Sequence, residues 1–172
     1  MNNIFLISAG VCFTCFVLRT AFNILKYKRS RLADNKIIYG AILVIMFFLW
    51  FSWGLMAFSD PIKIDIPEWA RYSGLALFLI GISLFVLAHS KLKGFDDRNQ
   101  LITRGIYSKL RNPMYSGFIL WVIGFPLFMR AFASLISAII WSAFIVYWKV
   151  LEEKELEERY DDYREYKKRT WF

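Results

Sequence analysis

Two short stretches carry residue types that could do chemistry at a membrane border. The first is Leu110–Gly117, "LRNPMYSG". Asn112 is a strong helix N-cap and Pro113 suits the first helical position, so a helix is predicted to begin here with free backbone donors. A helix start attracts anions, and Arg111 beside it adds a full positive charge. The second stretch holds Glu152 and Glu153, at the head of a segment too charged to cross a bilayer. Glu152 lies one turn before Leu156 on a stripe continued by Tyr160 and Tyr163, so its carboxylate faces inward and needs a cationic partner. That partner is either Arg111 or the amine of a bound ligand. Glu153 lies about a third of a turn away. Glu153 and the tyrosines are the only obvious general bases, and Arg111 and Glu153 are the catalytic candidates. The acidic residues from Glu155 to Glu165 interleave with Lys and Arg and read as a solvated face. A plain alternative is a well-capped membrane helix whose Arg111 rests against lipid phosphate.

Other chemistries find little support. Cys12 and Cys15 form a C-x-x-C in an apolar run, where thiolates are costly and a second ligand pair is missing, so no metal site is predicted. The only histidine, His89, falls at the end of an apolar run and reads as an interfacial residue. With these few candidates, a Ser-His-Asp triad, a zinc site and haem ligation are set aside. No P-loop, G-x-G-x-x-G or internal repeat is present.

The elements that must position these residues are membrane helices. Apolar runs cover Ile4–Leu25, Ile37–Phe58, Trp69–His89, Met114–Met129 and Ala131–Trp148, most of them close to the ~20 residues that span a bilayer. The last two are separated only by Arg130 and form a tight helical hairpin, with Pro126 kinking the first near its far end. The fold class is therefore an all-α membrane protein: five transmembrane helices, the last two a tight hairpin, plus a C-terminal cytoplasmic amphipathic helix. The start, "MNNIF", lacks a basic n-region, so the first run is expected to stay as a membrane helix. Basic residues set the orientation. The segment Lys26–Lys36 holds five Lys or Arg, Lys91–Arg111 six, and Lys149 to the end seven. All three fall on one side, which puts the N-terminus outside and the C-terminus in the cytoplasm, with Asp60 and Arg130 exposed to the exterior. The net charge of +8 then reflects topology and anionic headgroups, not a nucleic-acid partner.

The stretch "LITRGIYSKLRNPMYSGFILWVIG", followed by "EE" and then "YDDYREYKKR", resembles the isoprenylcysteine carboxyl methyltransferase family, which is grouped with the phospholipid N-methyltransferases. The resemblance covers roughly Asn99 to Arg169. It implies a single integral membrane domain over 1–172, with a three-helix part (1–98) and a cofactor-binding methyltransferase core (99–172). It also implies an S-adenosylmethionine pocket at the cytoplasmic border. Carried over by position, Asn99, Gln100, Leu101, Ile102 and Tyr107 line the cofactor. So does the family's His-Pro-x-Tyr tetrad, here Asn112, Pro113, Met114 and Tyr115. Glu152 contacts the cofactor as well. The implied activity is methyl transfer to a carboxylate or amine of a lipophilic acceptor (a small molecule, lipid or lipidated chain) entering from the bilayer, in a prokaryotic plasma membrane rather than an ER membrane. The rival readings are an NADPH-dependent membrane reductase of the sterol-reductase type and a non-catalytic lipid-binding protein.

Overall fold

Each of the five apolar runs forms a helix, and local chemistry decides most of the ends. In the computed structural model, residues 3–28, 35–92 and 101–172 are described. They form α1 (Asn3–Tyr27), α2 (Lys36–Phe58), α3 (Glu68–Leu92), α4 (Pro113–Phe128), α5 (Phe132–Arg159) and α6 (Tyr163–Arg169), with a 3-10 turn over Gly105–Ser108. The amide of Ile37 donates to the Asn35 side chain at 2.8 Å, capping α2. α4 begins at Pro113, as expected, and continues through Pro126 for two more residues. Four helices, α1, α2, α3 and α5, are long and apolar enough to cross a membrane. α4 has 16 residues, a length of about 24 Å at 1.5 Å per residue. Large side chains such as Ile7, Phe47, Phe58 and Ile139 stand exposed around the bundle. In water such a surface would aggregate; in hydrocarbon it is the natural exterior. The chain is an all-α membrane protein.

The α4–α5 hairpin is as tight as its sequence suggests. Arg130 takes φ +57°, a left-handed conformation costly for a β-carbon-bearing residue. Its neighbours hold it there. The amide of Ile64 donates to the Arg130 carbonyl at 3.0 Å, and that of Phe132 donates to Ile62 at 2.9 Å. The Arg130 guanidinium pairs with Glu68. Asp60 differs from expectation: it is not exposed but buried, its carboxylate accepting from the Ser134 amide at 2.6 Å and the Ser134 hydroxyl at 2.7 Å. Ala131 at the N-cap of α5 has no capping side chain. The loop before α3 supplies that cap instead.

Four glycines set the closest approach in the bundle. Gly117 and Gly124 on α4 oppose Gly81 and Gly74 on α3, as two antiparallel pairs. A β-carbon at Gly117 would lie 2.6 Å from the Gly81 carbonyl, and one at Gly124 would lie 2.6 Å from that of Gly74. On the other side, Phe16 stacks between Trp141 (4.8 Å) and Trp148 (5.2 Å), locking α1 onto α5.

A second difference concerns the C-terminal helix. α5 does not stop at Trp148 but continues to Arg159. The segment Lys149–Arg159 contains no Gly or Pro and is rich in Leu, Glu, Lys and Arg, all good helix formers. The break comes at Tyr160, whose backbone is extended. The expected stripe of Leu156, Tyr160 and Tyr163 is therefore divided between α5, its C-cap and α6.

Candidate active site

At the end of the bundle opposite Asp60, the last turns of α1, the start of α4 and the extension of α5 enclose a cleft. Its cavity volume is about 30 Å³, and Arg19, Asn23, Tyr115, Trp148 and Glu152 are among the residues around it. The Tyr115 hydroxyl donates to Glu152 Oε2 at 2.5 Å, a charge-assisted bond that orients the carboxylate from the first turn of α4. Tyr115 is 9% exposed. The hydrogen-bond donor to Glu152 is thus neutral, and the nearest cation across the cleft, Arg19, attracts it without an ion pair.

Arg111 goes to the neighbouring carboxylate. Its Nε donates to Glu153 Oε1 at 2.7 Å, and its Nη1 donates to the Thr170 carbonyl at 2.9 Å. Asn112 Nδ2 also donates to Glu153 Oε1, at 2.6 Å, and to the Phe172 carbonyl at 3.1 Å. Lys149 and Lys167 approach the same carboxylate at 3.4 and 3.5 Å. Asn112 occupies the N-cap position, but its side chain makes no capping bond. The expectation of a side-chain cap is corrected for a physical reason. A buried carboxylate two elements away is a stronger acceptor for the amide than the helix's own N–H groups are a donor set for its carbonyl. Arg111, only 13% exposed at its side chain, is likewise held inside the protein, away from a lipid phosphate. Glu152 and Glu153 are adjacent on α5 and so diverge by about 100°: one faces the cleft, the other a network of donors.

Of the other expected residues, Tyr107, Leu101, Ile102, Pro113 and Met114 are not among those that line the cleft. Gly105 takes φ +67°, the turn its position suggested, and it starts the 3-10 segment carrying Tyr107. The Tyr166 hydroxyl donates to the Tyr107 carbonyl at 2.6 Å. Burial, and then the charge of Glu152, pushes the Tyr107 phenol up, so it stays protonated near neutral pH. Leu101 and Ile102 are half-buried. Pro113 is fully buried and Met114 packs against the main core. Asn99 and Gln100 lie outside the described residues. Glu155 departs from its expected solvated face. Its side chain is 14% exposed and pairs with Lys26 at 3.1 Å and with Arg159, because continuing α5 turns it toward α1.

Sequence reasoning missed the α1 wall of the cleft: Arg19, Asn23 and Lys26. A signal was available. Arg19 is the only charged residue in the apolar run Ile4–Leu25, and an ionisable group at that depth is costly enough to require a purpose. Cys12 and Cys15 are buried as free thiols on the same helix, and His89 stacks on Phe85 at 5.7 Å.

Comparison with known proteins identifies the family. The profile of the phospholipid methyltransferase family matches residues 69–163, which is 95 of 172 residues. Two curated relatives, both named "Probable protein-S-isoprenylcysteine O-methyltransferase", come from Oryza sativa subsp. indica and subsp. japonica. Each is 36% identical over 62 residues, covering 31% of this chain and 32% of the relative. The chain thus matches about a third of their length. No solved structure matches it. The family's stretch contains all of α4 and α5 and nearly all of α3, and with them Tyr115, Glu152, Glu153 and the donors Arg111, Asn112 and Lys149: the chain belongs to the phospholipid methyltransferase family.

Proposed function

We propose that the chain is a membrane methyltransferase that uses S-adenosylmethionine and methylates a lipophilic acceptor at the cytoplasmic border. The observation that carries this reading is the Glu152 carboxylate, set in a cleft by the Tyr115 hydroxyl at 2.5 Å. Bound S-adenosylmethionine would supply an already activated methyl group. The cleft suits the amino-acid end of such a molecule. Glu152 has acceptor capacity left for an ammonium, and the first turn of α4 has no side-chain cap competing for its amide donors. The family resemblance adds Leu101, Ile102, Tyr107 and Met114, with Asn99 and Gln100, to the proposed set.

The protein's part is then to bind, orient and exclude water, worth up to about 7–11 kcal/mol when alignment is good. Arg111 and Glu153 act as a clamp. With Asn112, they fix the start of α4, and so the position of Tyr115. Glu153 has its lone pairs committed to Arg111, Asn112, Lys149 and Lys167, which disfavours it as a proton acceptor. Tyr107, kept protonated by burial, does not serve as a base either. This favours a carboxylate acceptor, which needs no deprotonation, over an ammonium.

Titration calorimetry with S-adenosylhomocysteine in detergent tests the reading. Wild type should bind, and Glu152→Gln should bind about 10- to 150-fold more weakly, the equivalent of ~1.5–3 kcal/mol for a charge-assisted bond. Glu165→Gln is the control, since that side chain is 66% exposed. Wild type that ignores S-adenosylhomocysteine refutes the proposal.

A further inference from the structure

α1 lies outside the stretch matched by the family profile, residues 69–163, yet it forms one wall of the cleft. Arg19, Asn23 and Lys26 recur at i, i+4 and i+7, on one face of the helix, and face Tyr115, Glu152 and Trp148 across the cleft. The two cations are treated differently. Lys26 pairs with Glu155 at 3.1 Å. Arg19 Nε is buried with no hydrogen-bond partner, and among the described residues Arg19 forms no ion pair.

Its contacts are with π faces. The guanidinium carbon lies 5.4 Å from the centre of the Phe22 ring and 5.9 Å from that of Trp148. Such contacts recover only part of what water gave the cation. The Trp148 indole is itself fixed, its Nε1 donating to Thr20 Oγ1 at 2.7 Å. A planar donor fork is thus held beside a ring whose orientation is set. Of the nearby carboxylates, Glu155 is engaged by Lys26 and Arg159, while Glu152, which accepts from Tyr115, attracts Arg19 across the cleft without forming an ion pair with it. A guanidinium in this state is built to receive a carboxylate in two-pronged fashion.

We infer that Arg19 is the carboxylate-binding residue of the cleft. It stands opposite Glu152, so that the cleft takes a carboxylate on the α1 side and a cationic centre on the α5 side. The inference rests on the proposed function for the identity of its ligand. The carboxylate belongs either to the amino-acid end of the cofactor or to the methyl acceptor.

The test uses the full chain in nanodiscs of phosphatidylcholine, with Arg19→Met, which keeps the apolar length, and Arg19→Lys, which keeps the charge without the fork. The cofactor arm compares S-adenosylhomocysteine with its decarboxylated analogue, and the acceptor arm compares dodecanoate with dodecanol. Arg19→Met should weaken S-adenosylhomocysteine or dodecanoate by roughly 10- to 150-fold and leave the matching probe that lacks the carboxylate unchanged. A loss on S-adenosylhomocysteine assigns the cofactor's carboxylate, and a loss on dodecanoate the acceptor's. Arg19→Lys should retain part of the affinity. If Arg19→Met does not fold, as judged by its melting curve, the same comparison is made on Arg19→Lys. Unchanged binding of both carboxylates in the folded variant overturns the inference, and so does a wild type that binds neither. A wild type that binds dodecanoate through Arg19 but not S-adenosylhomocysteine overturns the methyltransferase reading alone.

Discussion

Substituting Gly124 by alanine should force α3 and α4 apart. The added β-carbon would lie 2.6 Å from both the Gly74 carbonyl oxygen and the Phe78 amide nitrogen, against an ordinary contact that begins at 3.4 Å. The shortfall is 3.4 − 2.6 = 0.8 Å, and the obstructing atoms are backbone, which cannot rotate away. Overpacking of this kind costs about 1–3 kcal/mol. Alanine is the better helix former by ~1 kcal/mol in water, a gain that shrinks in a bilayer where the separated helices stay helical. Gly10 and Gly54 provide the contrast, because a β-carbon at either meets nothing within 4 Å, so alanine there should be neutral or slightly stabilising. Gly81 and Gly117 oppose each other reciprocally, at 2.7 and 2.6 Å. Once one alanine has parted the helices, the second has less to displace, and the double variant should cost less than the sum. Thermal unfolding in a fixed detergent, followed by tryptophan fluorescence, measures the series. Gly124→Ala with the stability of Gly54→Ala would show that the glycine contact does not set the helix spacing.

Three further outcomes follow from the structure. Asp60→Ala removes the cap of α5 and leaves Ser134 without its partner, so unfolding in detergent should show a loss of ~0.5–2 kcal/mol or somewhat more for the buried hydroxyl, whereas Asp65→Ala should show little. Asn112→Asp would suit a simple helix cap but sets a second carboxylate against Glu153, so it should destabilise at least as much as Asn112→Ala, by ~1–3 kcal/mol; an Asp variant as stable as wild type would return Asn112 to a capping role. A single cysteine at position 35, on a background lacking Cys12 and Cys15, should resist an impermeant reagent in intact cells and react after lysis, and labelling in intact cells would reverse the orientation that the basic segments predict.

The sequence by itself determined the membrane class, the five helices, the tight turn at Arg130 and the start of α4. Each of these depends on local properties: the length of an apolar run, proline at the first helical position, a lone arginine between two runs. It also marked Tyr115 and Glu152 as residues of interest, through motif resemblance and the inward stripe. The tertiary structure decided who pairs with whom. Arg111 and Asn112 could have served Glu152, a lipid phosphate or the helix end, and only the packing of α4 against α5 and of residues 170–172 commits them to Glu153. Asp60 looked like a loop residue facing water until the α2–α3 loop folded over the N-terminus of α5. Glu155 looked solvated until α5 continued past the membrane border and turned it toward Lys26. Arg19 is the one charge in the first run and was passed over, and nothing local could say that its guanidinium would reach the cleft beside Tyr115 and Glu152. Helix periodicity gives the direction of a side chain relative to its own axis. The partner that meets it is set by how separate helices pack, through contacts as close as the glycine pairs of α3 and α4, and that information is distributed over the whole chain.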